Sequence, residues 1–266
     1  MTMQNNIFTV LALGDVVGQK GVSRVQAMLP KLKKEYSADL TVVNGENSSD
    51  SNGLDASSAD TLIYAGADVI TGGNHTLNLR DIYDRLDDDD RLLRPANFQP
   101  LCPGKGCTTI DCGSVRVLVM NVSGQVFMNP CDNPFVCAER LLKEQTGKYD
   151  LALCDIHAEA TSEKIAFAMY FDGRINFVFG THTHVPTADE QILPGGTGFI
   201  TDVGMCGVTK NTVLGVVSDS VINRFVTGTN NRFSRRAEGD AEINGVVFRY
   251  DMTAKRCVSV ERIKKI

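Results

Sequence analysis

Short apolar runs that each break off at a glycine, an acid or an amide constrain this chain more than any other feature. Residues 7–13 form such a run and stop at Gly14-Asp15; residues 40–43 stop at Asn44-Gly45-Glu46-Asn47; residues 68–70 lead into Gly72-Gly73-Asn74-His75. Between them, residues 21–36 carry Val22, Val25, Met28, Leu29 and Leu32 at helical spacing, and 56–65 and a segment from Leu79 also read as helices. Strands that alternate with helices imply parallel pairing, and such sheets build their ligand sites beyond the carboxyl ends of the strands. The polar tips all lie at that end.

The middle of the chain is less regular. Residues 102–113 are punctuated by Gly and Pro, 115–121 read as a strand, 123–134 as a loop and 136–145 as a helix. A small cap or an irregular edge around residues 97–134 is therefore expected. The alternation then resumes, with a strand over 150–156 before His157, a helix over 162–171, and a strand over 175–179 before Gly180-Thr181-His182-Thr183-His184. Strands near Ile192 and over 199–203, 246–250 and 258–263 follow at short spacing, which predicts antiparallel pairing. Gly195-Gly196-Thr197-Gly198 lacks the Gly-Lys-Ser/Thr ending of a phosphate loop and reads as a turn. A single domain spanning residues 1–266 is the expectation for a chain of this length and α/β pattern.

Charge and composition narrow the partners. A net charge of -5 offers no broad basic surface, which argues against duplex DNA, and the cluster Arg232, Arg235 and Arg236 reads as a solvated loop. Residues 87–90 form an acidic run that reads as a solvated helix end or loop. No apolar run has bilayer-spanning length and the polar start lacks the order of a signal peptide, so no membrane is expected and the cytoplasm is the expected compartment. Eight cysteines in a chain with ample core read as reduced thiols; Cys102, Cys107 and Cys112 recur at intervals that match neither a zinc ribbon nor a redox pair.

The chain has only four histidines, His75, His157, His182 and His184, and each follows a predicted strand. Any one of them alone would more often be a surface or satisfied core residue. All four at strand tips point instead to one site. In extended backbone His182 and His184 would project to the same side with Thr183 facing away, separated by roughly 6–7 Å, which suits two ions about 3.5–4 Å apart better than one. Asp15, Glu46, Asn47 and Asn74 at the other tips offer oxygen donors that accompany imidazole around divalent transition metals. Asp15 could equally be a helix N-cap, and Glu46 and Asn47 could cap or turn, but a glutamate with two oxygens can bridge paired ions. Asn74 can offer its carbonyl oxygen, leaving the adjacent His75 to act as an acid.

The ordered series Gly14-Asp15, Glu46-Asn47, Gly73-Asn74-His75, His157 and Gly180-Thr181-His182-Thr183-His184 resembles the signature of calcineurin-like metallophosphoesterases. Within that superfamily, Gly14-Asp15-Val16-Val17-Gly18, Asn44-Gly45-Glu46-Asn47, Thr71-Gly72-Gly73-Asn74-His75 and Asp155-Ile156-His157-Ala158-Glu159 are similar to the YmdB-like branch. The resemblance implies an α/β fold with a two-sheet core flanked by helices, in four layers αββα. It implies a pair of divalent transition metal ions, iron or manganese. Asp15, Glu46, Asn47 and His184 would surround the first ion, and Glu46, Asn74, His157 and His182 the second. Two features depart from the wider superfamily: Val17 stands where a histidine is usual, and Glu46 replaces the usual bridging aspartate.

The activity implied is hydrolysis of phosphodiesters, cyclic nucleotides such as 2',3'-cyclic AMP among them, by a hydroxide between the ions with His75 as the proton donor. Two divalent ions offset by Asp15, Glu46 and one hydroxide would leave a charge of roughly +1 for a phosphodiester anion. The competing readings are a phosphomonoesterase or nuclease of the same fold, and a regulatory RNA-processing or scaffold protein with a structural metal site. Self-assembly into a homo-oligomer is a further expectation from the resemblance.

Overall fold

The computed structural model describes residues 6–229 and 237–266, so the basic cluster at Arg232, Arg235 and Arg236 lies outside the described residues. The first third of the chain runs β1 (Ile7–Leu13), β2 (Asp15–Val16), α1 (Gly18–Tyr36), β3 (Leu40–Asn44), α2 (Ala56–Tyr64) and β4 (Val69–Thr71), followed by a 3-10 turn (Arg80–Ile82) and α3 (Tyr83–Asp88). The second third runs β5 (Cys107–Asp111), β6 (Arg116–Ser123), α4 (Pro134–Glu144), β7 (Leu151–His157), α5 (Thr161–Tyr170), β8 (Phe177–Thr181), β9 (Gln191–Ile192) and β10 (Gly198–Ile200). The remainder runs β11 (Met205–Cys206), β12 (Thr212–Val213), β13 (Val216–Val217), α6 (Ser218–Thr227), β14 (Ile243–Asp251) and β15 (Arg256–Lys265).

These strands form two main sheets. The first has the order β15-β14-β1-β3-β4 and the second β5-β6-β7-β8-β10-β9. In the first, β1, β3 and β4 are parallel, while the C-terminal hairpin of β14 and β15 returns to close the β1 edge in antiparallel register. In the second, β6, β7, β8 and β10 are parallel and short antiparallel strands flank them.

Alternation along each strand builds the layers. On β1, Leu11 and Leu13 face α1 and α2, whereas Val10 and Ala12 join the core between the sheets. On β7, Leu151 and Leu153 enter that same central core, and Ala152, Cys154 and Ile156 pack under α4 and α5. Both faces of each central strand are thus buried, which is why these strands read as continuous apolar runs. The result is four layers, αββα. Local signals set the helix starts: Asp55 accepts from Ser58 N–H ahead of α2, and Asn133 accepts from the N–H groups of Phe135 and Val136 ahead of α4, with Pro134 at its first turn.

The structure corrects several sequence expectations. The Gly- and Pro-punctuated segment 102–113 contains β5, paired antiparallel with β6. The strand expected over 199–203 ends at Ile200; it pairs antiparallel with β9, as β14 does with β15, in line with the expectation, but its other neighbour, β8, is parallel to it. The helix expected from Leu79 is a 3-10 turn that continues into the short α3. The short strands β11, β12 and β13 and helix α6 had no counterpart in the sequence reading. Of the expected turn Gly195-Gly196-Thr197-Gly198, the first three residues lie in a turn closed by Leu193 N–H donating to Thr197 O (2.8 Å), and Gly198 begins β10. All eight cysteines are free. Among the described residues no helix is long and apolar enough to cross a membrane.

Candidate metal centre

The carboxyl ends of the parallel strands in the two sheets meet over a cleft of about 490 Å³. Neither Asp15 nor Glu46 is spent on a helix cap, because α1 is preceded by Val17 without side-chain capping and α2 is capped by Asp55. Asp15, Glu46 and His157 are fully buried and Asn47 nearly so, with His75 one-third exposed at the rim. Buried charges of one sign need a partner of the other, so the interior of this cluster calls for a cation.

The seven sequence-predicted ligands and His75 form one connected group. Glu46 Oε2 lies 3.4 Å from His157 Nε2, which in turn lies 2.9 Å from Asn74 Oδ1 and 3.1 Å from His182 Nδ1. Asp15 Oδ2 accepts from His182 N–H (3.1 Å), and Asp15 Oδ1 lies 3.9 Å from His157 Nδ1. On the other flank, Asn47 Nδ2 donates to Glu46 Oε1 (2.7 Å) and sits 3.3 Å from His184 Nε2. Asn47 therefore turns its nitrogen, not its oxygen, toward this group. His75 N–H donates to Glu46 Oε2 (2.8 Å), and its Nδ1 lies 3.1 Å from Glu46 Oε1.

Several observations fit this group to metal. One donor atom each from Glu46, His157 and His182 falls within 4.8 Å of the others. Asp15 Oδ1 is buried with no hydrogen-bond partner. A Cβ added to Gly73 would land 2.3 Å from both Glu46 Oε2 and His157 Nε2, so only glycine lets the chain pass this close to the donors. Burial, reinforced by the charges of Glu46 and Asp202, pushes the Asp15 carboxyl well above its usual range. Burial also depresses His157 to about 3 and lowers His182, which keeps both imidazoles in the neutral form that binds metal. Burial opposes ionisation of Glu46 as well, yet its contacts with the backbone N–H and ring of His75 help hold its carboxyl below the usual range.

The extended-backbone expectation for the His182–His184 pair does not hold. Strand β8 ends at Thr181, and His182 and His184 have φ of 100° and 63°, in the left-handed region. The two rings reach the cleft through a turn and address different neighbours, His157 and Asn47. The sequence reading also passed over the groups that orient these rings. Thr181 Oγ1 donates to Asp155 Oδ1 (2.7 Å), so its oxygen accepts from His157 Nδ1–H (2.9 Å) and leaves Nε2 to face the cluster. Asp155 also accepts from Thr71 Oγ1 (2.6 Å) and Asn44 Nδ2 (2.9 Å), while burial pushes it up to about 7. An acid inside the apolar run 150–156 was the available signal. Glu159 Oε2, 3.1 Å from His182 Nε2, orients the second ring. Leu214 O, on the turn between β12 and β13, does the same for His184 through Nδ1 at 3.2 Å.

A four-layer αββα fold with such a cluster at the seam of its sheets defines the calcineurin-like metallophosphoesterase class. More narrowly, the model of the YmdB-like protein family matches residues 11–263, and the chain belongs to that family. It is similar to the 2',3'-cyclic-nucleotide 2'-phosphodiesterase of Bacillus subtilis, at 44% identity over 254 residues that cover 96% of each protein. Among solved structures, a novel phosphatase from Mycoplasma pneumoniae superposes with a TM-score of 0.92 at 35% identity, covering 98% of this chain and 94% of that one. A hypothetical protein from Thermus thermophilus gives a TM-score of 0.89 at 38% identity, covering 97% and 99%.

Proposed function

We propose that the chain is a metal-dependent phosphodiesterase that opens 2',3'-cyclic nucleotides. Asp15, Glu46, His184 and Asn47, its amide turned over to present the carbonyl oxygen, would hold one divalent ion and Glu46, Asn74, His157 and His182 a second, with iron or manganese suited to this mixture of oxygen and imidazole donors. The observation that carries the reading is the buried cluster itself: two carboxylates, one with an orphaned oxygen, joined to neutral imidazoles beside an open cleft. The substrate class is supported by the 44% identity to the Bacillus subtilis 2',3'-cyclic-nucleotide 2'-phosphodiesterase.

When bound, the ions supply Lewis-acid charge at the phosphoryl group and an acidified water. Glu46 accounts for both flanks of the cluster, since its two oxygens face His157 on one side and Asn47 and His75 on the other. The Thr181 and Asp155 contacts fix the His157 tautomer. His75, on the cleft wall beside Glu46, would give its proton to the ribose oxygen that leaves phosphorus as water adds. Leu214 and Val216 also line the cleft and provide apolar contact suited to the sugar or base.

Elemental analysis of anaerobically purified protein, paired with turnover of 2',3'-cyclic AMP and bis-p-nitrophenyl phosphate before and after chelation, tests the reading. The expected result is two metals per chain and chelator-sensitive diester hydrolysis. Turnover of phosphomonoesters alone would move the assignment to a phosphatase, and failure to bind metal would remove it.

A further inference from the structure

Lys164 and Asp202 are fully buried, and neither side chain belongs to the metal cluster or lines the cleft. Lys164 Nζ donates to Asp202 Oδ2 at 2.7 Å. A buried ion pair rarely stabilises a fold more than apolar packing would, so its other contacts are informative. Here they converge on one short segment. Lys164 Nζ also donates to Thr181 O (3.0 Å), while Asp202 Oδ2 accepts from both Thr183 N–H (3.2 Å) and Thr183 Oγ1 (2.8 Å). Asp202 Oδ1 accepts from Gly204 N–H (2.8 Å), which anchors the carboxylate to the chain beyond β10.

The segment they hold is the turn that presents His182 and His184, both at positive φ. Residues with side chains remain in that conformation only where their surroundings over-determine it. The ion pair grips the turn on either side of His182, at the carbonyl of Thr181 and at the amide and hydroxyl of Thr183. The chain also makes room for the lysine: a Cβ on Gly180 would fall 2.5 Å from Lys164 Cδ and 1.8 Å from Thr201 O.

We infer that Lys164 and Asp202 are positioning residues that lock the histidine turn in its left-handed form, so that His182 and His184 are preset for metal. This rests on the metal-site reading above. The pair grips the turn at its backbone and at the Thr183 hydroxyl, and neither side chain is among the proposed ligands, although the Asp202 charge also bears on Asp15.

The test uses Mn2+ affinity, measured by calorimetric titration of the metal-free full chain, alongside the thermal melt. The double variant Lys164→Met with Asp202→Asn removes both charges together and leaves no unpaired buried ion; Thr183→Val, which deletes only the hydroxyl that Asp202 holds, is the second variant should the double fail to fold. Thr197→Val is the control, because Thr197 is equally buried and its hydroxyl donates to Ile175 O (2.6 Å) at the far end of β10 from the site. The expected result is a loss of Mn2+ affinity of about ten-fold or more in the pair variant, within the range for groups that orient metal ligands. Hydrolysis of bis-p-nitrophenyl phosphate should recover at high Mn2+, whereas the control should keep wild-type affinity even if it melts lower. Unchanged affinity in the pair variant, or an equal loss in the control, would overturn the inference. Failure of the wild-type chain to bind Mn2+ would instead overturn the metal reading, a distinguishable result.

Discussion

The two sheets contribute to the cluster in chemically different ways. Among the proposed ligands, the strand ends of the first sheet supply oxygen and amide groups, Asp15 after β1, Glu46 and Asn47 after β3, and Asn74 after β4, with the proposed acid His75 beside it. Those of the second supply imidazoles, His157 at the end of β7 and His182 and His184 after β8. Burial acts oppositely on the two sets. It raises Asp15, whose ionised form lacks a counter-charge, and it lowers His157 and His182, which therefore keep lone pairs free of protons. One side would supply charge and the other neutral ligands, and the seam between the sheets is where both would meet the proposed cations. Such a seam is more selective than either half, since the oxygen side alone would suit calcium or magnesium and the nitrogen side favours transition metals.

The largest effects should come from breaking the oxygen side at the residue that touches both flanks. Glu46→Ala removes the carboxylate shared by the proposed ion sites. Several kcal/mol of transition-state stabilisation are assigned to such ions, so turnover should fall by about 10⁴-fold, with metal content dropping in elemental analysis. Full metal content and near-normal turnover would remove Glu46 from the site. His75→Gln leaves all the proposed ligands in place. Its kcat should fall by roughly 10²- to 10⁴-fold, the usual range for a lost general acid, while metal content stays at the wild-type level. A loss of metal in this variant would mean that His75 is a ligand and not an acid.

A smaller effect is expected on the nitrogen side, where the ligands are set by neighbours. Thr181→Val keeps the shape of the side chain but deletes the hydroxyl between Asp155 and His157. His157 Nδ1–H then loses its acceptor, and metal affinity should fall by about 10- to 100-fold in a calorimetric titration. Wild-type affinity would show that the ring is held by packing alone.

How much of this was legible in the sequence follows from the same division. The cluster members lie at strand tips, and a tip is marked locally by the end of an apolar run, so Asp15, Glu46, Asn74 and His157 could be read one at a time. The groups behind them could not. Thr181 meets His157 across parallel strands 24 residues apart in sequence, and Asn44 reaches Asp155 over 111 residues. Lys164 looks like any helix lysine until the fold closes over it. Topology failed where a connection was atypical: β8 and β10 are parallel yet joined by a stretch without a helix, so short spacing suggested antiparallel pairing. The histidine turn failed for a related reason, because i and i+2 share a face only in extended backbone and both residues sit at positive φ.

Glu159 gives the finest probe of the seam. It is half-exposed, and its Oε2 lies 3.1 Å from His182 Nε2, so this carboxylate supports an imidazole of the second sheet from the solvent side. Glu159→Gln keeps an oxygen that can accept from Nε2–H and removes only the charge. An exposed charge is screened by water and salt, so little of its effect on the ring should reach the cluster. Turnover and metal affinity should change by only a few-fold, and less at high salt. A loss as large as that of Thr181→Val would show that the Glu159 charge acts directly on the ions or substrate. The boundary between the two sheets' contributions would then have to be drawn to include a carboxylate on the imidazole side.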